Sequence, residues 1–178
     1  MFDLQQFIGD CRAVRTDAMA VRELVGRAVA EPEALIKAVG EPRRAGVSML
    51  YRAPDLTILN LVWGPGMSVM PHNHEMWAVI GIYSGREDNI FWRRLPQDAG
   101  GRIEAAGAKS LGDRDVQPLG RDIIHSVLNP IRRLTGAIHV YGGDFVATPR
   151  SEWDPEALVE QPYDFEKTLA LFEDSNRR

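Results

Sequence analysis

Two of the four histidines in this chain stand one residue apart, in the stretch GPGMSVMPHNHEMWAVIGIYSG that runs from residue 64 to residue 85. Side chains two apart on a β-strand leave the same face. His72 and His74 can therefore aim both imidazoles at one point, which is the geometry of a pair of metal ligands. A solvated strand edge would carry the same two residues at little cost, so the remaining histidines decide between the readings. They are His125 and His139, both in DIIHSVLNPIRRLTGAIHVYGG. The Asn129-Pro130 pair breaks the chain between them, and a hairpin centred near Arg132 sets His125 opposite His139. Two strand pairs then account for all four histidines, which favours a metal site over core histidines that each satisfy a structural hydrogen bond. Glu75 follows His74 directly, and on an unbroken strand it faces away from the two imidazoles.

The elements around these residues change period twice. Residues 17–30, DAMAVRELVGRAVA, put Val21, Leu24, Val25, Ala28 and Val29 on one stripe and predict an amphipathic helix. Pro32 opens a second short helix and Gly40 closes it. From Gly46 to Phe145 the helical period gives way to short β-rich runs, VSMLYR, LTILNLVWG, WAVIGIYSG, NIFWRRL, AKSLG, DIIHSVL and TGAIHVYGG, separated by Gly, Pro, Asp and Asn. Such spacing predicts a sandwich or barrel. Within it Gly85 begins a turn and Arg86-Glu87-Asp88 reads as its exposed tip, while Trp63, Trp77 and Trp92 read as packing residues. Asp154-Pro155 reads as a helix start, and Phe165, Leu169 and Phe172 predict a terminal helix over 164–173.

At 178 residues, 44% hydrophobic and 26% charged, the chain is expected to form one domain, 1–178: a helical N-terminal segment over 1–40, a barrel over 46–145 and an extension over 146–178. A net charge of -4 argues against nucleic acid or an anionic membrane as the partner. No apolar run approaches the roughly 20 residues of a membrane span, and MFDLQQFIGDCRAV lacks the pattern of a signal peptide. The expectation is a cytoplasmic protein acting on a small molecule. The lone cysteine, Cys11, is expected to be a buried small hydrophobe.

The same residues resemble the cupins. Gly66, five residues, His72-Asn-His74 and then Gly85 follow their first motif. Gly112, five residues, Pro118-Leu-Gly120, four residues where the family has two, His125, three residues and Asn129 follow their second. The resemblance implies a mainly β fold, the cupin double-stranded β-helix or jelly-roll barrel, here with N-terminal helices and a C-terminal helix, and His72, His74 and His125 as metal ligands. The cupin glutamate is missing, since Ala78 and Val79 hold its positions. A three-histidine set, with LVWGPG, HSVLNP and AIHVYGG around it, resembles the cysteine dioxygenase branch. That branch implies Fe(II), O2 and a small thiol acid oxidised to a sulfinate, with His139 and Tyr141 at the pocket and an arginine gripping the substrate carboxylate. Arg52 in MLYRAPD is the candidate for that arginine, with Arg43 or Arg44 as alternatives. The animal enzymes carry a crosslinking cysteine and a serine on the histidine; Ala78 and Ala137 stand near those places here, which removes the crosslink and shortens the relay. Imidazole ligands also suit Ni, Zn or Mn. An isomerase or hydrolase using one of those metals, or a ligand-binding cupin without turnover, are the alternative functions, and the resemblance admits a homodimer.

Overall fold

The computed structural model describes residues 2–177. Three helices lead: α1 (Leu4–Ala13), α2 (Ala18–Ala30) and α3 (Pro32–Val39). Asp3 and Asp17 cap the first two, their carboxylates accepting from Gln6 N at 2.8 Å and Ala20 N at 3.0 Å. Pro32 sits in the first turn of α3, and Gly40 ends it at φ 94°, a left-handed conformation that favours glycine.

Eleven strands follow among the described residues: β1 (Gly46–Ala53), β2 (Leu56–Trp63), β3 (Ser68–His72), β4 (Ala78–Ser84), β5 (Arg86–Arg94), β6 (Ile103–Gly112), β7 (Val116–Leu119), β8 (Ile124–Leu128), β9 (Thr135–Tyr141), β10 (Ser151–Trp153) and β11 (Glu160–Pro162). They form two antiparallel sheets, in the orders β1-β2-β9-β4-β7 and β11-β10-β3-β8-β5-β6. The fold is mainly β and has the double-stranded β-helix architecture expected from the sequence, with helices at both ends. Helix α4 (Phe165–Ser175) closes the chain, capped by Asp164.

Parity separates two cores. On β2, β4 and β9 the residues Leu59, Leu61, Trp63, Ala78, Ile80, Ile82, Ala137 and Tyr141 face the space between the sheets. Their neighbours Ile58, Val79, Tyr83, Ile138 and Val140 face the N-terminal helices, where they meet Val21, Val25 and Val29. Helix α2 lies so close that a Cβ on Gly81 would sit 2.4 Å from Val25 Cγ1. Cys11 belongs to this second core, and burial pushes its thiol up to about 12. Among the described residues no helix is long and apolar enough to cross a membrane.

Two sequence expectations change. β8 and β9 do not form a hairpin: β8 pairs with β3 and β5, β9 with β2 and β4. The chain from Asn129 to Arg133 crosses between sheets, so His125 lies opposite His72 rather than His139. Asn129 holds the crossing, its amide donating to Trp63 O, Gly64 O and Arg133 O. Asp154-Pro155 starts a turn rather than a helix, Asp154 accepting from Glu156 N and Ala157 N, while the helix expected over 164–173 is α4. In the segment 146–178, β10 lies beside β3, with Glu152 opposite His72, and β11 lies beyond it.

Candidate metal centre

His72 ends β3, His125 sits on β8 opposite it, and His74 lies two residues past the strand end. Asn73 fixes that short excursion, accepting from Ser151 N at 2.8 Å and donating its own N–H to Ser151 O at 3.1 Å. The three imidazoles converge, with ring centroids 5.1, 4.7 and 4.9 Å apart. One nitrogen from each lies within 4.8 Å of the others. All three side chains are buried.

Hydrogen bonds assign the proton on two of the rings. His72 Nδ1 lies 2.9 Å from Met70 O, and a carbonyl only accepts, so Nδ1 carries the hydrogen and Nε2 a lone pair. His125 Nδ1 lies 2.7 Å from Asn89 Oδ1, with the same result. His125 Nε2 is 3.3 Å from His74 Nε2. Nitrogens bound to one ion at about 2.1 Å stand roughly 3.0 to 3.4 Å apart in octahedral or tetrahedral geometry, so this spacing fits a shared ion. His74 Nδ1 is buried with no partner among the described residues. Burial pushes the His72 imidazole down to about 4, with Arg150 and His139 adding to the effect against the opposing Met70 carbonyl. Burial, then the neighbouring imidazoles, holds His74 and His125 well below the ordinary histidine range. Three neutral imidazoles are what a divalent ion requires of such ligands.

Tyr141 packs its ring 5.0 Å from that of His74, and its hydroxyl is 3.0 Å from His139 Nδ1. Burial pushes the Tyr141 phenol well up from its ordinary value. His139, on β9, is outside the group of three converging nitrogens. The serine that the resemblance would put on His139 is absent at Ala137, but a different residue faces the ring: Glu87 Oε2 lies 3.4 Å from His139 Nε2. Glu87 is therefore no exposed tip. It is fully buried on β5, where Glu87, Asn89 and Phe91 take the inward parity while Arg86 and Ile90 point out.

Arg52 is elsewhere. It is half exposed on β1 and grips Asp144 through two bonds of 2.9 and 3.0 Å. Arg43 and Arg44 are exposed, and Arg44 pairs with Glu173 on α4. The cation beside the histidines is Arg150, 8% exposed, in the loop before β10. Its guanidinium is sandwiched 4.1 Å over the Phe145 ring and 3.8 Å over the Tyr163 ring, a cation–π arrangement. Nη1 donates to Phe145 O. Nε and Nη2 are buried without a partner among the described residues, and an unpaired buried charge of this kind is costly unless something completes it. Nothing in TPRSEW distinguished Arg150 from a loop arginine.

Glu75 adopts φ 57° just past His74, accepts from Asn73 Nδ2 at 2.7 Å and lies 3.8 Å from Arg121, away from the three nitrogens. The space in front of the histidines is small, about 30 Å³, and is bounded by Trp63, Val127, Tyr141, Tyr163, Phe165 and Phe172. That is room for about one water.

Fold and cluster together define a double-stranded β-helix barrel whose interior carries three convergent histidines. No protein-family model matches the chain. Among solved structures it is similar to an RmlC-like cupin with a double-stranded β-helix fold from Methanocaldococcus jannaschii, at 10% identity and a TM-score of 0.48, covering 60% of this chain and 87% of that one. It is also similar to oxalate decarboxylase of Bacillus subtilis, a protein with Mn(II) centres, at 16% identity and a TM-score of 0.41, covering 52% of this chain and 22% of that one. A cupin 2 conserved barrel domain protein from Salinispora arenicola matches at 20% identity and a TM-score of 0.41, covering 53% and 72%. The chain spans less than a third of the oxalate decarboxylase chains it matches.

Proposed function

We propose that this protein is an Fe(II)- and O2-dependent dioxygenase of a small thiol-bearing carboxylic acid. The observation that carries the proposal is the pairing of three neutral, convergent imidazoles with a buried guanidinium that has two unpartnered N–H groups. His72, His74 and His125 would hold the ion. Fe(II) bound by three neutral ligands supplies redox chemistry toward oxygen at the positions they leave open. The overall reaction, R–SH + O2 → R–SO2H, places both oxygen atoms on sulfur and needs no external reductant.

The rest falls to the chain's own side chains. Arg150 replaces Arg52 as the group that grips the substrate carboxylate, because its free N–H pair can meet two oxygens at once. Tyr141 lines the space in front of the histidines, and its hydroxyl, held by His139, would orient the reacting groups. Phe145, Tyr163, Phe165 and Phe172 keep water out, and Tyr163 and Phe165, near the chain's last helix, must shift to admit a substrate.

The test is metal analysis of protein purified without a histidine tag, then anaerobic loading with Fe(II), addition of cysteine, 3-mercaptopropionate or cysteamine, and measurement of oxygen uptake against sulfinate formed. Uptake matched by sulfinate supports the proposal, and Arg150→Lys should then raise KM for carboxylate-bearing thiols more than for cysteamine. Absence of uptake in protein that holds iron rejects it. The small chamber favours one alternative, a metal-binding cupin without turnover, which predicts bound metal and no product with any of the three.

A further inference from the structure

Between the sheets lies a carboxylate that the proposed reaction does not use. Glu87 is fully buried, and both its oxygens accept: Oε1 from Asn89 Nδ2 at 2.9 Å, Oε2 from the Trp63 indole at 2.8 Å. Asn89, buried beside it, turns its other end to the metal site, where Oδ1 accepts from His125 Nδ1 at 2.7 Å. On the opposite side His139 Nε2 stands 3.4 Å from Glu87 Oε2, out of line for a formed hydrogen bond. At that range in a dry interior a carboxylate oxygen attracts an N–H and repels a lone pair. His139 Nδ1 is then left to accept from the Tyr141 hydroxyl at 3.0 Å.

We propose that Glu87 is a positioning residue that sets two histidine tautomers at once. Through Asn89 it keeps the His125 hydrogen on Nδ1, leaving Nε2 bare for an ion; directly, it keeps the His139 hydrogen on Nε2, so that Tyr141 donates to His139. The inference rests on the metal-site reading above and extends it. It also gives the site the acid that its ligand set lacks: the carboxylate is present, one amide behind His125 rather than among the ligands.

The role requires a carboxylate, because only a carboxylate accepts at both ends. Glutamine has the same shape with one acceptor and one donor. If its NH2 faces Asn89, the Asn89 amide must turn over, its own NH2 then meets His125 Nδ1, and the hydrogen moves to the ligating Nε2. If its NH2 faces the other way, it meets the Trp63 and His139 donors, and the His139 hydrogen moves to Nδ1. Either orientation reverses one tautomer.

The experiment compares wild type with Glu87→Gln, metal-free and loaded with Zn(II), by 15N-histidine NMR and by competition for Zn(II) against a chromophoric chelator. Expected in wild type are His125 with Nδ1–H and His139 with Nε2–H. Expected in the variant is reversal of one of them, with about 10- to 100-fold weaker Zn(II) binding when His125 is the one reversed. A folded Glu87→Gln protein with both tautomers unchanged overturns the proposal. So does wild type with the hydrogen on His125 Nε2 or on His139 Nδ1 in the metal-free state, a measurement that decides the matter even if the variant does not fold. Wild type that binds no Zn(II) or Fe(II) rejects the metal reading instead, and the metal-free spectrum still tests Glu87.

Discussion

Burying three neutral histidines makes the metal-free protein acid-sensitive in a narrow window. Burial lowers the His72 pKa from 6.5 to about 4, so between those values the unfolded chain binds a proton that the folded chain refuses. The stabilisation is complete above 6.5 and is lost as pH falls toward 4, at up to about 1.4 kcal/mol per unit of pH. From pH 7 to pH 5 His72 alone removes about 2 kcal/mol, a sizeable share of the 5 to 15 kcal/mol typical of a domain. For a chain of this length that corresponds to roughly 4 to 8 °C in Tm. His74 and His125 shift in the same direction and steepen the loss. Carboxylates held down by ion pairs, such as Asp144 with Arg52 and Glu160 with Arg94, add a loss of the same sign only as pH approaches their ordinary values of 3.8 and 4.5, so the step from pH 7 to pH 6 isolates the histidines. The assay is thermal unfolding of chelator-treated protein at pH 7, 6 and 5, alongside His72→Gln. The wild type should lose at least the stated Tm, and the variant should lose about one proton's share less. A flat profile, or an unchanged slope in His72→Gln, would refute the reasoning. Added Zn(II) should raise Tm at pH 7 and lose that gain on the way to pH 5, since protons compete for the same nitrogens.

Changing His72, His74 or His125 to Ala should remove most bound metal, measured by elemental analysis after dialysis, whereas His139→Ala should weaken binding only about 10- to 100-fold. Arg52→Lys and Glu75→Gln should leave metal content and KM unchanged; the Arg52 pair is half exposed, and its loss should cost under about 1 kcal/mol in urea unfolding. Gly136→Ala should destabilise by about 1 to 3 kcal/mol, because its Cβ would stand 2.3 Å from the Tyr83 ring, whose hydroxyl is fixed by Asn60.

How much was legible in the sequence follows from what each signal physically encodes. The stripe of Val21, Val25, Ala28 and Val29 encodes burial of one helix face, and α2 buries that face. The unbroken apolar run in WAVIGIYSG encodes a strand buried on both faces, and β4 serves both cores. Asn-Pro encodes a change of chain direction but not which strand lies next, so a crossing between sheets looked like a hairpin and His125 received the wrong neighbour. In REDN the alternation runs between polar residues, so hydropathy cannot say which parity points inward. Arg86 and Asp88 pair with each other at the surface while Glu87 and Asn89 enter the barrel. The one available hint was chemical: a buried strand tryptophan such as Trp63 needs an acceptor for its indole N–H. Arg150 gave no hint, because its burial depends on Phe145 and Tyr163, which flank its guanidinium only through tertiary packing.

These two residues also constrain the substrate through charge. Around the three histidines a divalent ion and the buried Arg150 guanidinium would bring three positive charges, and the buried Glu87 carboxylate, accepting at both oxygens, returns one negative charge. A buried site is least costly when its charges cancel. Two negative charges are therefore wanted from the ligand, and a compound bearing a thiolate and a carboxylate supplies both. 3-Mercaptopropionate does so without an added charge, cysteine carries an ammonium that cancels one of them, and cysteamine has no carboxylate at all. The expected order of kcat/KM is 3-mercaptopropionate, then cysteine, then cysteamine, with the first gap narrowed by Arg150→Met, which removes the charge that the carboxylate answers. Isothermal titration of the three thiols into anaerobic, Zn(II)-loaded protein gives the same order without turnover. Tighter binding of cysteamine than of 3-mercaptopropionate would show that Arg150 does not face the ligand, and that its unpaired N–H groups answer to something else.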